Sequence, residues 1–196
     1  MKKEISSKAL ILKSTPFKDN KAILHLFTEA FGSVSAIYTP KKTTYLSSMM
    51  YIEGNLHRDR SDMYTLTDAH ILDAFANLRT DFTLLQLSAK LINTLSKTLV
   101  KDRAVYPLFL LTKNTLKTFS KEGNNEAIYY CYLLKLLLFE GLLPVNPDEM
   151  ETNFSDDEKM DYLSLATAKS FESIEKIVVT KQLQEAIENY TLLILQ

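Results

Sequence analysis

Lysines alternate with aromatic residues in the first quarter of this sequence, and the two residue types together have a recognisable binding chemistry. Single-stranded nucleic acid is held by cationic side chains that follow the phosphates and by exposed rings on which bases stack. The candidates for these roles are Lys13, Phe17, Lys18, Lys21, Tyr38, Lys41, Lys42 and Tyr45. The lysines would bind phosphates without reading base sequence. Arg58 and Arg60 are further candidates, although Asp59 and Asp62 weaken their positive field.

The charge of the chain is distributed unevenly. Residues 1–80 hold 11 Lys and Arg against 8 Asp and Glu, whereas residues 81–196 hold 12 against 16. Residues 1–42 contain eight lysines but only three carboxylates, those of Glu4, Asp19 and Glu29. A polyanion would therefore bind to the N-terminal half. The alternative is that these lysines only keep a β-domain soluble and protect its strand edges.

Other reactive groups are sparse, and their spacing predicts no catalytic residue, metal or cofactor. Cys131 is the only cysteine, so a disulfide or a multi-cysteine metal site cannot form. The histidines His25, His57 and His70 lack metal-ligand spacing, and the four glycines lie too far apart for a phosphate-binding loop. The sequence therefore predicts a non-enzymatic protein. Its single cysteine and the lack of a signal peptide or membrane span predict a cytoplasmic location.

Five short strands are predicted to position the lysines and rings. Ala9–Leu12 forms the first strand, which Ser14-Thr15-Pro16 should end, and Ala22–Thr28 forms the second, with Phe27 and Phe31 in the interior. The remaining strands are predicted at residues 33–38, 49–56 and 63–67. Closure of so many short strands into a barrel would remove exposed edges.

A helical period of apolar residues begins near Asp68 and continues to the end of the chain. It predicts helices at residues 82–100, 108–119, 125–140, 158–170 and 180–195. The third is apolar on nearly all sides and should lie at the centre of a bundle. Ser155 and Glu158 have the spacing of a capping box. The fold class is therefore α+β, a five-stranded β-barrel followed by an all-helical bundle.

The chain resembles the bacterial RecO family of recombination mediators. The resemblance rests on Ser7-Lys8-Ala9-Leu10-Ile11-Leu12-Lys13, on Phe17, on the stretch Ala22 to Ala36 with its Phe-Thr-x-x-x-Gly turn, and on Leu136 to Pro144. It implies an OB-fold DNA-binding domain at residues 1–70 and a helical partner-binding domain at 71–196.

The resemblance also implies a function. Family members bind single- and double-stranded DNA, anneal complementary strands and, with RecR, load the recombinase onto DNA coated with single-strand-binding protein. The acidic tail of that protein is an expected partner, and Lys90, Lys97, Arg103, Lys113 and Lys117 are available to bind it.

Two departures from the family pattern affect this expectation. The four zinc-binding cysteines that many members carry after the central helix are absent from residues 145–160, so zinc is not expected. The basic stretch after the third strand is reduced to Lys41 and Lys42. A protein-interaction adaptor, in which the OB-fold is a scaffold that binds no DNA, is the alternative function.

Overall fold

A computed structural model describes residues 4–40, 45–58, 62–119, 123–144, 146–150 and 153–195. The strands are β1 (Glu4–Phe17), β2 (Lys21–Thr28), β3 (Gly32–Tyr38), β4 (Tyr51–Arg58) and β5 (Tyr64–Asp73). The α-helices are α1 (Phe82–Thr98), α2 (Tyr106–Phe119), α3 (Asn125–Phe139), α4 (Asp156–Thr167) and α5 (Lys181–Ile194), and short 3-10 helices cover Ala76–Arg79, Pro147–Met150 and Phe171–Ile174. The chain divides into two compact units. A barrel unit comprises residues 1–80 and 99–114, and a helical unit comprises residues 81–98 and 115–196.

The five strands close into a barrel in the order β1-β2-β3-β5-β4. All neighbours pair antiparallel except β3 and β5, which run parallel. This is the strand order of an OB-fold, a barrel that commonly carries oligonucleotide-binding surfaces. The predicted fold class, α+β with an N-terminal OB-fold and a following set of helices, is confirmed.

Alternation along the strands separates the barrel interior from its outer surface. In β3, Val34, Ala36 and Tyr38 are buried, while the residues between them are half-buried. The interior side chains are Ala9, Ile11, Leu24, Leu26, Val34, Ala36, Tyr38, Leu46, Ile52, Leu56, Tyr64 and Leu66. Phe31 packs against this cluster, as predicted. Phe27 is also buried, but it does not belong to the interior cluster. In β2 it follows the interior residue Leu26, so its side chain lies on the outer face of the barrel.

Residues 99–114 cover part of the outer barrel wall and explain the burial of Phe27. The Phe109 ring lies 5.5 Å from the Phe27 ring in an edge-on arrangement and 6.3 Å from the Tyr51 ring, measured between centroids. At Gly32, whose φ is +71°, a Cβ atom would approach the carbonyl oxygen of Arg103 to 1.8 Å. A glycine is therefore required where this segment crosses the start of β3.

Strands β1 and β5 are longer than the sequence predicts. β1 continues through Pro16, because β4 pairs with β1 only as far as Leu10. The missing N–H of Pro16 therefore removes no bond from a β4 ladder. β5 extends to Asp73, so the helical period predicted from Asp68 is wrong. Ile71 and Leu72 are about 40% exposed, and Ile71 pairs with Ile52 on β4.

Helix α3 is the central helix of the helical unit, as its composition predicts. Ten of its residues, from Ala127 to Leu137, are buried. Among them is Cys131, and burial raises the pKa of its thiol to about 11, which keeps it protonated and unreactive. In the described part of the chain, no helix has the length and apolar character needed to cross a membrane.

The capping box predicted at the start of α4 is present and connects two helices. Glu158 accepts hydrogen bonds from the backbone N–H and the hydroxyl of Ser155 at 2.9 and 3.0 Å. Its other oxygen accepts from the hydroxyl of Thr180, the N-cap of α5, at 2.6 Å. Each hydroxyl in turn accepts a backbone N–H of its own helix. One carboxylate therefore orients both N-caps.

Candidate nucleic-acid interface

A tight hairpin at the end of the barrel presents two of the predicted lysines. Asp19 and Asn20 both have left-handed backbone conformations, with φ near +57° and +59°. The N–H of Lys21 donates to the carbonyl of Lys18 at 3.2 Å. These are the features of a type I′ turn, whose twist matches that of the two strands it joins. The turn fixes Lys18 and Lys21 at its two ends, and both side chains are exposed.

The outer surface of β1 and β2 carries the other described candidates. A bulge near Leu12 resets the register, so that Lys13 lies opposite His25 and Phe17 lies opposite Lys21. The two pairs are separated by four residues of β2, about 13 Å along the strand. We call the surface formed by Lys13, Phe17, Lys18, Lys21 and His25 the basic face. All five side chains are exposed.

The lysines of the basic face have no carboxylate partners among the described residues. None of Lys13, Lys18 and Lys21 lies within ion-pair distance of an acidic side chain there. Phe17 lies beside them with 45% of its surface exposed. Unpaired cations and an exposed ring on one surface can bind phosphates and stack a base.

Arg58 lies in a different electrostatic environment from these lysines. Its guanidinium pairs with Asp62 at 3.1 Å and with Asp102 at 3.3 Å. It also lies over the ring of Tyr64, 5.4 Å from the centroid. Two carboxylates already compensate this cation, so Arg58 is a poorer phosphate ligand than sequence position alone predicts.

Tyr38 is placed differently from the other described candidates. It is only 5% exposed and packs in the interior cluster of the barrel, so little of its ring is available for stacking on a base. Its role in DNA binding stays a prediction. Lys41, Lys42 and Arg60 lie outside the described residues.

A hollow of about 470 Å³ opens at the end of the barrel next to the basic face. Its lining includes Phe17, Lys21, Tyr38, Tyr45, Ser47 and Ser48. We call it the mouth hollow. Tyr45 is 79% exposed.

Sequence reasoning missed Asn20, Ser47 and Arg79 in this region. The Asp19-Asn20 pair between two apolar runs is typical of a type I′ turn and was the available signal for Asn20. No local pattern points to Arg79, because its guanidinium donates to Ser47 Oγ and to the carbonyl of Ser48, more than thirty residues earlier.

A second concave surface lies in the helical unit, between α1, α3 and α5. It has a volume of about 200 Å³ and is lined by Lys90, Asn93, Thr94, Lys97, Tyr129, Leu133, Glu188, Thr191 and Leu192. We call it the lysine groove. Lys90 pairs with Glu188 at 2.9 Å. Of the five cations predicted to bind an acidic tail, only Lys90 and Lys97 line this groove.

The other three predicted tail-binding cations are placed elsewhere. Arg103 and Lys113 belong to the barrel unit, and Lys113 lies 5.7 Å from the ring centroid of Tyr51. Lys117 is exposed on α2. They do not contribute to the lysine groove.

No cluster of three or more His, Cys, Asp or Glu side chains among the described residues could hold a metal ion. The residues after α3 also do not fit the zinc site that the family resemblance implies, because residues 145–160 contain neither cysteine nor histidine.

The fold and the basic face define an OB-fold protein whose barrel presents unpaired cations. Comparison with known proteins extends this description: residues 1–75 match the family described as Recombination protein O N terminal. The predicted resemblance to the RecO family is thus confirmed.

Similar proteins carry the name DNA repair protein RecO. The protein from Chlamydia pneumoniae is 29% identical over 149 residues, which cover 74% of this chain and 59% of that protein. The one from Clostridium novyi is 29% identical over 145 residues, covering 69% and 55%. The one from Caldicellulosiruptor saccharolyticus is 21% identical over 147 residues, covering 72% and 60%. The matched part of the chain thus spans about three fifths of the length of these relatives.

Proposed function

We propose that this chain is a RecO-like recombination mediator in DNA repair that binds DNA through the basic face. The observation that carries the proposal is the set of three unpaired lysines beside the exposed Phe17 ring on the outer wall of an OB-fold. Lys13, Lys18 and Lys21 are the proposed phosphate ligands. Lys41, Lys42 and Arg60 are further proposed ligands, from their positions in the sequence alone.

The mechanism requires no bond to be made or broken. Each lysine that neutralises a phosphate releases a condensed counterion, which favours binding at low salt. Stacking on Phe17 then holds bases apart from one another and available for pairing. Two strands held in this way can anneal, so the proposed role is that of a mediator without enzymatic turnover.

Both single-stranded and duplex DNA are proposed ligands. The phosphate contacts serve either form, because they carry no sequence information. The ring contributes only where a base is unstacked. We therefore expect tighter binding of single strands at equal length and salt.

DNA binding is proposed for residues 1–70 and partner binding for residues 71–196, most of which form the helical unit. The lysine groove fits an acidic, apolar peptide end, such as the tail of single-strand-binding protein. Leu133 and Leu192 supply apolar walls, and Lys97 supplies a cation at the rim. A RecR-like protein is a further proposed partner, and recombinase loading onto coated single strands is the proposed outcome.

The second candidate function is an adaptor whose barrel is only a scaffold. The lysine groove favours it, because a peptide site in the helical unit needs no DNA contact from the barrel. The two functions differ in the salt dependence of oligonucleotide binding.

The test is a titration of a fluorescent single-stranded oligonucleotide at several salt concentrations, read by anisotropy. With three phosphate contacts we expect log Kd to rise with log salt concentration at a slope of about 2 or more. A K41E/K42E variant then measures what those two lysines add to the slope. Negligible affinity in dilute buffer, together with a flat slope, would refute DNA binding and leave the adaptor.

A further inference from the structure

We propose that the mouth hollow holds one unpaired nucleobase of the bound strand. The inference rests on the proposed DNA binding and deepens it, since it assigns a base to a place on the barrel that phosphate contacts alone do not require. At about 470 Å³ the hollow falls within the range of small-molecule sites, roughly 300–1,000 Å³.

Two exposed aromatic residues line the hollow. Phe17 ends β1 and is 45% exposed, and Tyr45 is 79% exposed. Neither ring is needed to fill the barrel interior, whose cluster excludes both. Exposed rings at the rim of a concave site provide flat surfaces for a base of any type.

The polar groups of the hollow are suited to the edge of a base. Ser14 and Asn20 line it, and their side chains have no hydrogen-bond partner among the described residues. A hydroxyl and an amide can each donate and accept. Every base carries both donors and acceptors on its edge, so these side chains can pair with it where water would otherwise remain.

Two lysines near the hollow can bind the phosphate of the nucleotide whose base enters it. Lys21 lines the hollow, and Lys18 lies at the other end of the same turn. In the proposed complex the base enters the hollow and its phosphate stays outside, where these two exposed cations can bind it. The proposed occupant is therefore a nucleotide, because the lysines can bind its phosphate and the aromatic rings can stack on its base.

The wall that carries Tyr45 is held in place before any ligand binds. Arg79 donates to the carbonyl of Ser48 at 2.7 Å and to Ser47 Oγ at 3.3 Å. Met49 and Met50 exchange backbone hydrogen bonds with Ile11 of β1 at 2.8 and 2.9 Å. A preformed site loses less conformational freedom on binding.

Such a hollow discriminates between strand forms. A base in a duplex is paired and stacked, and it enters a pocket only after being flipped out at an energetic cost. An unpaired base enters without that cost. The mouth hollow would therefore add affinity for single strands and none for an intact duplex.

The experiment compares two fluorescent strands of equal length, an oligo-thymidine and the same strand with an abasic spacer at every position. Both carry the same phosphates. The full chain should bind the thymidine strand about tenfold more tightly, which is within the range for loss of one base–aromatic stack. Tyr45→Ala should remove most of this preference and leave the abasic strand unaffected. Tyr45→Phe, which keeps the ring, should retain it.

Three results would overturn the proposal, and they are distinguishable. Equal affinity of the parent for both strands refutes the base site while leaving phosphate binding intact. Equal weakening of both strands by Tyr45→Ala refutes it as well, because the ring would then act on the backbone. Failure of both strands to bind the parent refutes the DNA-binding function and the base site together.

Discussion

The lysines of the two units differ in what surrounds them. In the helical unit, Lys90 pairs with Glu188, Lys159 with Asp148 and Lys181 with Glu185. On the basic face of the barrel unit, no lysine has such a partner among the described residues. A paired surface cation is already compensated and contributes little to binding a polyanion, whereas an unpaired one exchanges bulk counterions for phosphate. The comparison therefore supports the proposed DNA binding by the barrel, where three unpaired lysines share one surface. In the helical unit Lys97, Lys169 and Lys176 also have no carboxylate partner among the described residues.

Matched charge reversals in the two units give the largest expected effect. The K13E/K18E/K21E variant should weaken oligonucleotide binding by about 100-fold or more at 0.1 M salt and lower the salt slope by about 2, since three phosphate contacts are lost. The K159E/K169E/K181E variant carries the same change in net charge. Its oligonucleotide affinity should stay within about threefold of that of the parent in the same anisotropy titration.

The same two variants can also contradict the proposed difference between the two units. Equal weakening by both triples would mean that binding follows the total charge of the protein, and the basic face would have no special role. Circular dichroism of each variant checks that the barrel and the helices remain folded.

Glu158 is a carboxylate of the helical unit that stabilises the fold, because it bonds to two helix N-caps. Glu158→Ala removes its hydrogen bonds to the N-caps of α4 and α5 and should lower the free energy of unfolding by about 2 kcal/mol. Urea denaturation measures this loss. Oligonucleotide binding by the folded variant should not change.

The loss of stability caused by Glu158→Ala should become smaller at acidic pH. The hydrogen bond from Thr180, followed by the backbone hydrogen bond from Ser155, lowers the pKa of Glu158 below its ordinary value of 4.5. A lowered pKa in the folded state stabilises the protein above pH 4.5, and this contribution is lost as the pH falls through the folded-state pKa. The stability difference between parent and Glu158→Ala should narrow accordingly below pH 4.5. A constant difference across this range would contradict the assignment.

Sequence reasoning succeeded where a local pattern determines the structure. The alternation in β3, the apolar circumference of α3 and the Ser155–Glu158 spacing each depend on residues close in the chain. It failed where the outcome depends on distant neighbours. Pro16 remains in a strand because β4 ends its pairing earlier, and the apolar spacing around Ile71 resembles a helix although β4 pairs with it.

The candidate site shows the same division. Lys13, Lys18 and Lys21 were predicted from composition, and the hairpin brings them together as neighbours on one surface. Tyr38 looked like a stacking ring, but the parity of β3 turns it inward. Lysine pairing could not be predicted, because the partner of Lys90 is 98 residues away in the sequence.

A substitution in the lysine groove should weaken peptide binding by the helical unit and leave DNA binding by the barrel nearly unchanged. Lys97→Glu should weaken binding of an acidic, apolar peptide with a free C-terminal carboxylate by about fivefold, the effect of one rim charge. Oligonucleotide affinity should change by less than twofold. Fluorescence anisotropy with each labelled ligand measures both values. If the peptide bound the variant and the parent equally, the groove would not be its site.

Arg58 gives the smallest expected effect and sharpens the comparison within the barrel unit itself. Arg58 belongs to the barrel unit, but it is paired with carboxylates. Asp62 and Asp102 both lie within 3.3 Å of its guanidinium. Arg58→Ala should therefore change oligonucleotide affinity by less than about twofold, whereas Lys21→Ala, the matched neutralisation of an unpaired cation, should cost about fivefold at 0.1 M salt. The same anisotropy titration measures both variants. A larger loss for Arg58→Ala than for Lys21→Ala would mean that DNA displaces the two carboxylates, and that ion pairing in the free protein does not identify which cations bind phosphate.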